Sequence, residues 1–169
     1  MGSGLIRLVL ALAGLALFAG CLRAAGVGRS PVAQAASVAM TPTELQFVTA
    51  LERVRDAHGL SPLTPDGRLA AAARGHSAEM IARDYFAHGA FWLRIEHEGL
   101  TTGRAGETLG WCACSQGPVS RLVDMWLASP EHRSILLDPG YRQVGVGVSV
   151  GRFLGRPRVL VVTADFHRD

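Results

Sequence analysis

The sequence predicts an α+β domain. Helical periodicities open the chain and recur between later segments, and a period-two valine run enters only near residue 144. A second apolar run then returns after a turn marked by glycine and proline. Helices ahead of and between strands, with antiparallel pairing late in the chain, do not repeat the strand–helix–strand unit of a doubly wound parallel sheet.

The elements follow in order. Thr41-Pro42-Thr43-Glu44 carries a helix start: a threonine cap, a proline at the first helical position, and a glutamate three residues after the cap that returns the hydrogen bond. Leu45, Val48, Leu51 and Val54 repeat at helical spacing, so a helix is predicted over residues 42–57 and ends at His58-Gly59. Thr64-Pro65-Asp66 opens a second helix to about residue 83, with Leu69, Ala72, Ala73, His76 and Met80 on one face, which makes His76 a core histidine. Residues 93–98 read as a short helix and residues 107–111 as a short strand. Gly117-Pro118 starts a helix with the apolar face Val119, Leu122, Val123 and Trp126, and Ser129-Pro130 caps a short helix through Leu137. A capping role occupies the Ser129 hydroxyl with backbone N–H groups and makes it a poor nucleophile. Val144, Val146, Val148 and Val150 alternate with small residues as a strand does; residues 151–157 turn the chain, and residues 158–166 return as the antiparallel partner.

Residues 1–21 have the layout of an export signal, with a cationic start and an unbroken apolar run over residues 8–18. That run falls short of the roughly 20 residues a membrane-crossing helix needs. Ala19-Gly20-Cys21 resembles the lipobox of lipoproteins, in which the cysteine is lipidated. Ala33-Gln34-Ala35 is a competing cleavage signal and an uncleaved anchor a third outcome; the lipidated form is favoured. Residues 22–41 are rich in Ala, Gly, Ser and Val and read as a tether, leaving residues 42–169 as one globular domain. Three of the seventeen arginines lie at positions 7, 23 and 29, so the domain carries fourteen against fourteen acidic residues. Without a concentrated basic face it is no nucleic-acid binder. The chain has no Lys and no Asn, which excludes Schiff-base and Ser-Lys chemistry and N-linked glycosylation. Lipidation of Cys21 leaves Cys112 and Cys114 paired with each other or reduced. Two thiolates alone do not complete a zinc site.

Several polar residues stand at fixed offsets in apolar framing: Phe86-Ala87-His88, Gly106-Glu107-Thr108, and Trp126-Leu127-Ala128-Ser129-Pro130-Glu131-His132-Arg133. Val144-Gly145-Val146-Gly147-Val148 and Thr163-Ala164-Asp165-Phe166 follow. In this order the series resembles the CAP domain, or SCP-like extracellular domain, of short bacterial secreted proteins, over about residues 44 to 166. The resemblance implies a three-layer α-β-α sandwich with a small antiparallel sheet, and a shallow cleft lined in much of the family by two histidines and two glutamates. Carried over by position, His88 and His132 match the histidines and Glu107 the first glutamate. The second glutamate is replaced by Ser129, and Thr108 stands where the family usually has Asn.

Two imidazoles and a carboxylate are the donor types that hold Zn²⁺ with one position left for water, and without metal they make an acid–base pair. The favoured expectation is an exported, non-enzymatic binding module that needs no cofactor. Its ligand is a lipid, a cell-wall fragment or a protein, contacted by His88, Glu107, His132, Ser129, Phe91 and Trp92. The alternative is a metal-dependent, peptidase-like hydrolase with His88, His132 and Glu107 around zinc or another divalent ion; a structural surface protein with a vestigial cleft is the third reading. Phe91 and Trp92 form either an exposed binding lip or a pair with one ring in the core. Arg94, Glu131 and Arg133 read as surface ion pairs, and Asp165 as a strand-end residue paired nearby. The expected location is extracellular or at the cell surface, with membrane contact only through the signal segment or a lipid on Cys21.

Overall fold

The computed structural model describes residues 39 to 168; the export signal, Cys21 and the tether up to residue 38 lie outside the described residues. The first helix, α1 (Pro42–Ala57), begins on the predicted device: Thr41 Oγ1 accepts from Glu44 N–H at 3.3 Å and Glu44 accepts from Thr41 N–H at 2.7 Å. Its buried face is Phe47, Val48 and Leu51, while Leu45 is exposed. The helix is turned from the predicted orientation because Glu44 itself is buried. Glu44 accepts from Arg74 at 2.9 and 2.7 Å and from Val148 N–H at 3.2 Å. Burial works to raise its pKa, but these bonds, Arg74 foremost, hold it below the ordinary value.

Thr64-Pro65 does not open a helix. The two residues form strand β1 (Thr64–Pro65), and Asp66 caps α2 (Gly67–Arg83) by accepting from Arg68 and Leu69 N–H. A residue before proline is pushed to extended backbone, so Thr64 is suited to a strand. Then come α3 (Phe91–His97), β2 (Arg104–Cys112), α4 (Pro118–Ala128), α5 (Pro130–Leu136), β3 (Gln143–Phe153) and β4 (Arg156–Arg168). The sheet has the order β1-β3-β4-β2 and is mixed, since β1 runs parallel to β3 while the other pairs are antiparallel. The turn between β3 and β4 is only Leu154-Gly155, both at positive φ, and Asp84 accepts the Leu154 N–H.

Alternation along the strands sorts side chains between two layers. Val144, Val146, Val162, Ala164 and Phe166 pack with Phe47 and Leu51 of α1, Leu122 and Trp126 of α4, and Leu136 of α5. On the opposite face, Leu109, Phe153, Val159 and Val161 pack with Met80 of α2. There α2 lies directly on the β3 backbone: a Cβ at Gly145 would sit 2.1 Å from Ala70 N, and one at Gly147 2.0 Å from Arg74 N. Ser77 closes this contact by donating to the Gly147 carbonyl and accepting from the Thr163 hydroxyl, each at 2.9 Å. Among the described residues, no helix is long and apolar enough to cross a membrane.

Candidate functional site

His88 lies on the loop between α2 and α3. The loop leaves Asp84 in the left-handed region (φ 53°) and turns at Gly89 (φ 57°), beside the side chains of Arg94, His76 and Tyr85. His76 Nε2 donates to the Ala87 carbonyl at 2.9 Å and so fastens the loop to α2. Desolvation by burial lowers the His76 pKa; the ring is neutral, and its buried Nδ1 has no hydrogen-bond partner. His76 is thus the core histidine its spacing predicts, with only one ring nitrogen satisfied.

β2 delivers Glu107 from the opposite direction. Its side chain is 2% exposed, Oε1 accepting from His88 Nδ1 at 2.7 Å and Oε2 from Arg94 Nη2 at 2.5 Å. Arg94 is therefore no surface ion pair: it projects from α3 and holds the carboxylate that holds His88. With Nδ1 donating, Nε2 is the one ring nitrogen of His88 left for a ligand.

Asp165 pairs with Glu107 across the β2–β4 ladder and is fully buried, not a paired strand end. No donor among the described residues reaches either of its oxygens, and as a protonated acid it donates to Glu107 instead. Burial first, and then the charge of Glu107, push its carboxyl well above the ordinary range despite the opposing Arg94. Asp165 is a neutral acid beside a carboxylate. Thr108 is also fully buried, with no hydrogen-bond partner for Oγ1 among the described residues.

His132 arrives from the other layer, in the first turn of α5. Arg55 steadies the far end of that helix by donating to the carbonyls of Leu136 (2.8 Å) and Asp138 (3.1 Å). Desolvation lowers the His132 pKa and the field of His88 lowers it further, so the rings lie within electrostatic reach and His132 is neutral. Its Nδ1 is buried without a partner.

A groove of about 630 Å³ opens beside His132, lined by Phe86, Leu109, Trp111, the segment from Cys112 to Cys114, Arg121, Met125, Ser129 and Arg156. Cys112 and Cys114 are joined as a disulfide in its wall. Ser129 is half-buried and lines the groove. Its backbone is extended and its carbonyl accepts from Arg133 N–H, but its hydroxyl makes no capping bond, contrary to the expectation. Phe91 and Trp92 do not line the groove. They stack on each other at 5.3 Å, Phe91 packing against the Leu69, Ile95 and Leu100 cluster and Trp92 remaining 53% exposed. The aromatic wall is instead Phe86 and Trp111, each edge-on to buried Phe153 at 6.3 and 6.1 Å. Spacing held a signal for the opposite wall: Arg121, Met125 and Ser129 recur every four residues along α4, a second stripe beside the apolar one.

The donor set falls short of a resident metal centre. Among the described residues no three His, Cys, Asp or Glu side chains converge to hold an ion. Both oxygens of Glu107 are engaged, one by an arginine that would repel a cation beside it. Two imidazoles remain, one fewer than the three protein ligands of ordinary catalytic zinc.

The model of the CAP family, described as the cysteine-rich secretory protein family, matches residues 48–166. The uncharacterized membrane protein YlbC of Bacillus subtilis is 34% identical over 113 residues, 64% of this chain and 32% of that protein. A second protein of that organism, the uncharacterized YkwD, is 30% identical over 109 residues, 62% of this chain and 41% of that protein. The chain thus spans less than half the length of the curated relatives it matches. An extracellular protein containing an SCP domain from Bacillus anthracis aligns with a TM-score of 0.60 at 26% identity, over 78% of this chain and 45% of that one. An outer surface protein from Borrelia burgdorferi shares the fold with a TM-score of 0.59 at 18% identity, over 77% of this chain and 97% of that one.

Proposed function

The chain belongs to the cysteine-rich secretory protein (CAP) family, and from that premise we propose that its domain is an exported, non-enzymatic binding module acting outside the cell or at its surface. The observation that carries this reading is Glu107. Both its oxygens are committed to His88 and Arg94, and the carboxyl facing it, Asp165, is neutral. A general base must reach its substrate, and Glu107, 2% exposed behind His88 and Arg94, does not. The cluster instead holds the His88 loop rigid next to a groove with aromatic and methionine walls, the surroundings in which small ligands bind. Export agrees with two proteins of the same fold, one described as extracellular and one as an outer surface protein.

The test is metal content and peptide hydrolysis of the purified protein, together with binding of lipid and cell-wall fractions. Expected are no stoichiometric zinc, no cleavage of a peptide library with or without added zinc, and binding that survives the double substitution His88→Ala plus His132→Ala. Stoichiometric zinc that a chelator removes together with a hydrolytic activity overturns the reading in favour of a metal-dependent hydrolase.

A further inference from the structure

We propose that the Cys112–Cys114 disulfide is a thiol–disulfide exchange site, through which the chain takes two electrons from a dithiol. The exchange is stoichiometric, one dithiol per chain, so the inference goes beyond the binding-module reading without resting on it. Three observations carry it. The first is the shortness of the loop: the bonded cysteines are two apart in sequence. Constraint of the unfolded chain, the main way a disulfide stabilises a fold, is weakest for so short a loop. Cys112 is the last residue of β2 and is held by its pairing with Leu160 of β4, while Cys114 lies beyond the strand. The bond therefore does little for the fold, unlike the structural bridges of small exported domains.

The second observation is access. Both cysteines line the groove beside His132, but Cys112 is 8% exposed within the core cluster whereas Cys114 is half-buried at its edge. An incoming thiolate reaches Cys114 Sγ first, and exposed disulfides are the labile ones. The third is charge. The groove is lined by Arg121 and Arg156 and by no acidic side chain, and neither arginine forms an ion pair among the described residues. Arg156 is kept there by the ring of Trp111, the residue before Cys112, with its guanidinium 5.9 Å from the ring centre. Uncompensated guanidinium groups draw in a thiolate nucleophile and favour the thiolate that leaves.

The step balances. One thiolate of the dithiol attacks Cys114 Sγ, the Cys112–Cys114 bond breaks, and Cys112 departs as a thiolate while a mixed disulfide forms at Cys114. The second thiolate of the dithiol then attacks its partner sulfur in that mixed disulfide and expels Cys114. The dithiol is oxidised to a disulfide, the protein pair is reduced to two thiols, and the two protons the dithiol released are regained by the cysteines.

Glutathione buffers of graded ratio, applied to the full chain carrying Cys21→Ser, test the site, with free thiols alkylated at each ratio and counted by mass. Expected is half-reduction of the pair at an excess of reduced glutathione about a hundredfold smaller than a long-loop disulfide of a secreted reference protein needs. A reduced two-cysteine peptide is oxidised, one equivalent per chain. Arg121→Gln plus Arg156→Gln slows this about tenfold, and Arg152→Gln, outside the groove, leaves the rate unchanged. Both groove arginines are exposed, so the double variant keeps its thermal midpoint and a slower rate is not loss of fold. With oxidised glutathione, the lone Cys114 of Cys112→Ser forms a mixed disulfide about tenfold faster than the lone Cys112 of Cys114→Ser. A pair as resistant to reduction as the reference overturns the proposal, as does an unchanged rate in the double arginine variant or equal capture at the two cysteines. Zinc with hydrolysis, the failure of the module reading, alters none of these outcomes.

Discussion

Two buried carboxyls, Glu44 and Asp165, illustrate how partners decide ionisation. Glu44 is ionised, because Arg74 and two backbone N–H groups reach it. Asp165 has no donor and sits against Glu107, so its folded pKa is raised above the ordinary 3.8. A raised folded value means that the native state keeps a proton the unfolded chain releases. The contribution of Asp165 is therefore most favourable below pH 3.8 and is lost as pH rises towards the folded value, at about 1.4 kcal/mol per pH unit. Asp165→Asn removes this titration and can donate an amide N–H to Glu107. We expect the variant to be more stable than the parent at pH 7 by about 1.4 kcal/mol or more, with the gap closing near pH 4. Urea denaturation at both pH values checks this; a variant less stable at pH 7 refutes the assignment of Asp165 as a neutral acid.

At the scale of the element, the contact between α2 and β3 is the least forgiving. Gly145 and Gly147 alternate with Val144, Val146 and Val148, so valines face α1 while the bare backbone faces α2. Gly147→Ala places a methyl 2.0 Å from Arg74 N, and a helix backbone cannot yield locally. The expected cost is about 3 kcal/mol or more, read as loss of soluble protein or a large drop in urea midpoint, whereas Gly155→Ala at the open hairpin tip leaves the chain folded. Here the sequence was partly legible. The valine alternation named the strand, and the helical face through Leu69, Ala73 and Met80 named its cover, but nothing local said that the helix would rest on glycine. Ser129 misled for a related reason. Ser-Pro before a helix is a good capping signal, yet the hydroxyl makes no capping bond and the residue lines the groove.

Across the whole molecule, the site is assembled where both helical layers reach around the edge strand β2, His88 and Arg94 from one side and His132 from the other. Motif order names His88 and Glu107, which do bond; Arg94, which completes the cluster, reads in the sequence as a surface ion pair. The bond from Arg94 to Glu107 joins side chains thirteen residues apart, and β1 pairs with a strand nearly eighty residues on, distances at which local patterns carry no information. The disulfide lines the groove on one side and packs against the core on the other, closing a loop between residues only two apart in sequence. Loop closure that short contributes about 1.5 kcal/mol, so reduction should lower the thermal midpoint modestly and leave unfolding two-state. A collapse of structure on reduction, followed by circular dichroism, contradicts this. The spatial order of the strands has a temporal consequence. β4 is the last described element in chain order yet lies between β3 and β2, so β2 has no strand partner until β4 has been synthesised. A chain interrupted before β4 therefore leaves β2 and its Glu107 outside the sheet, and the His88–Glu107–Arg94 cluster is the last part of the fold to be backed by a neighbouring strand.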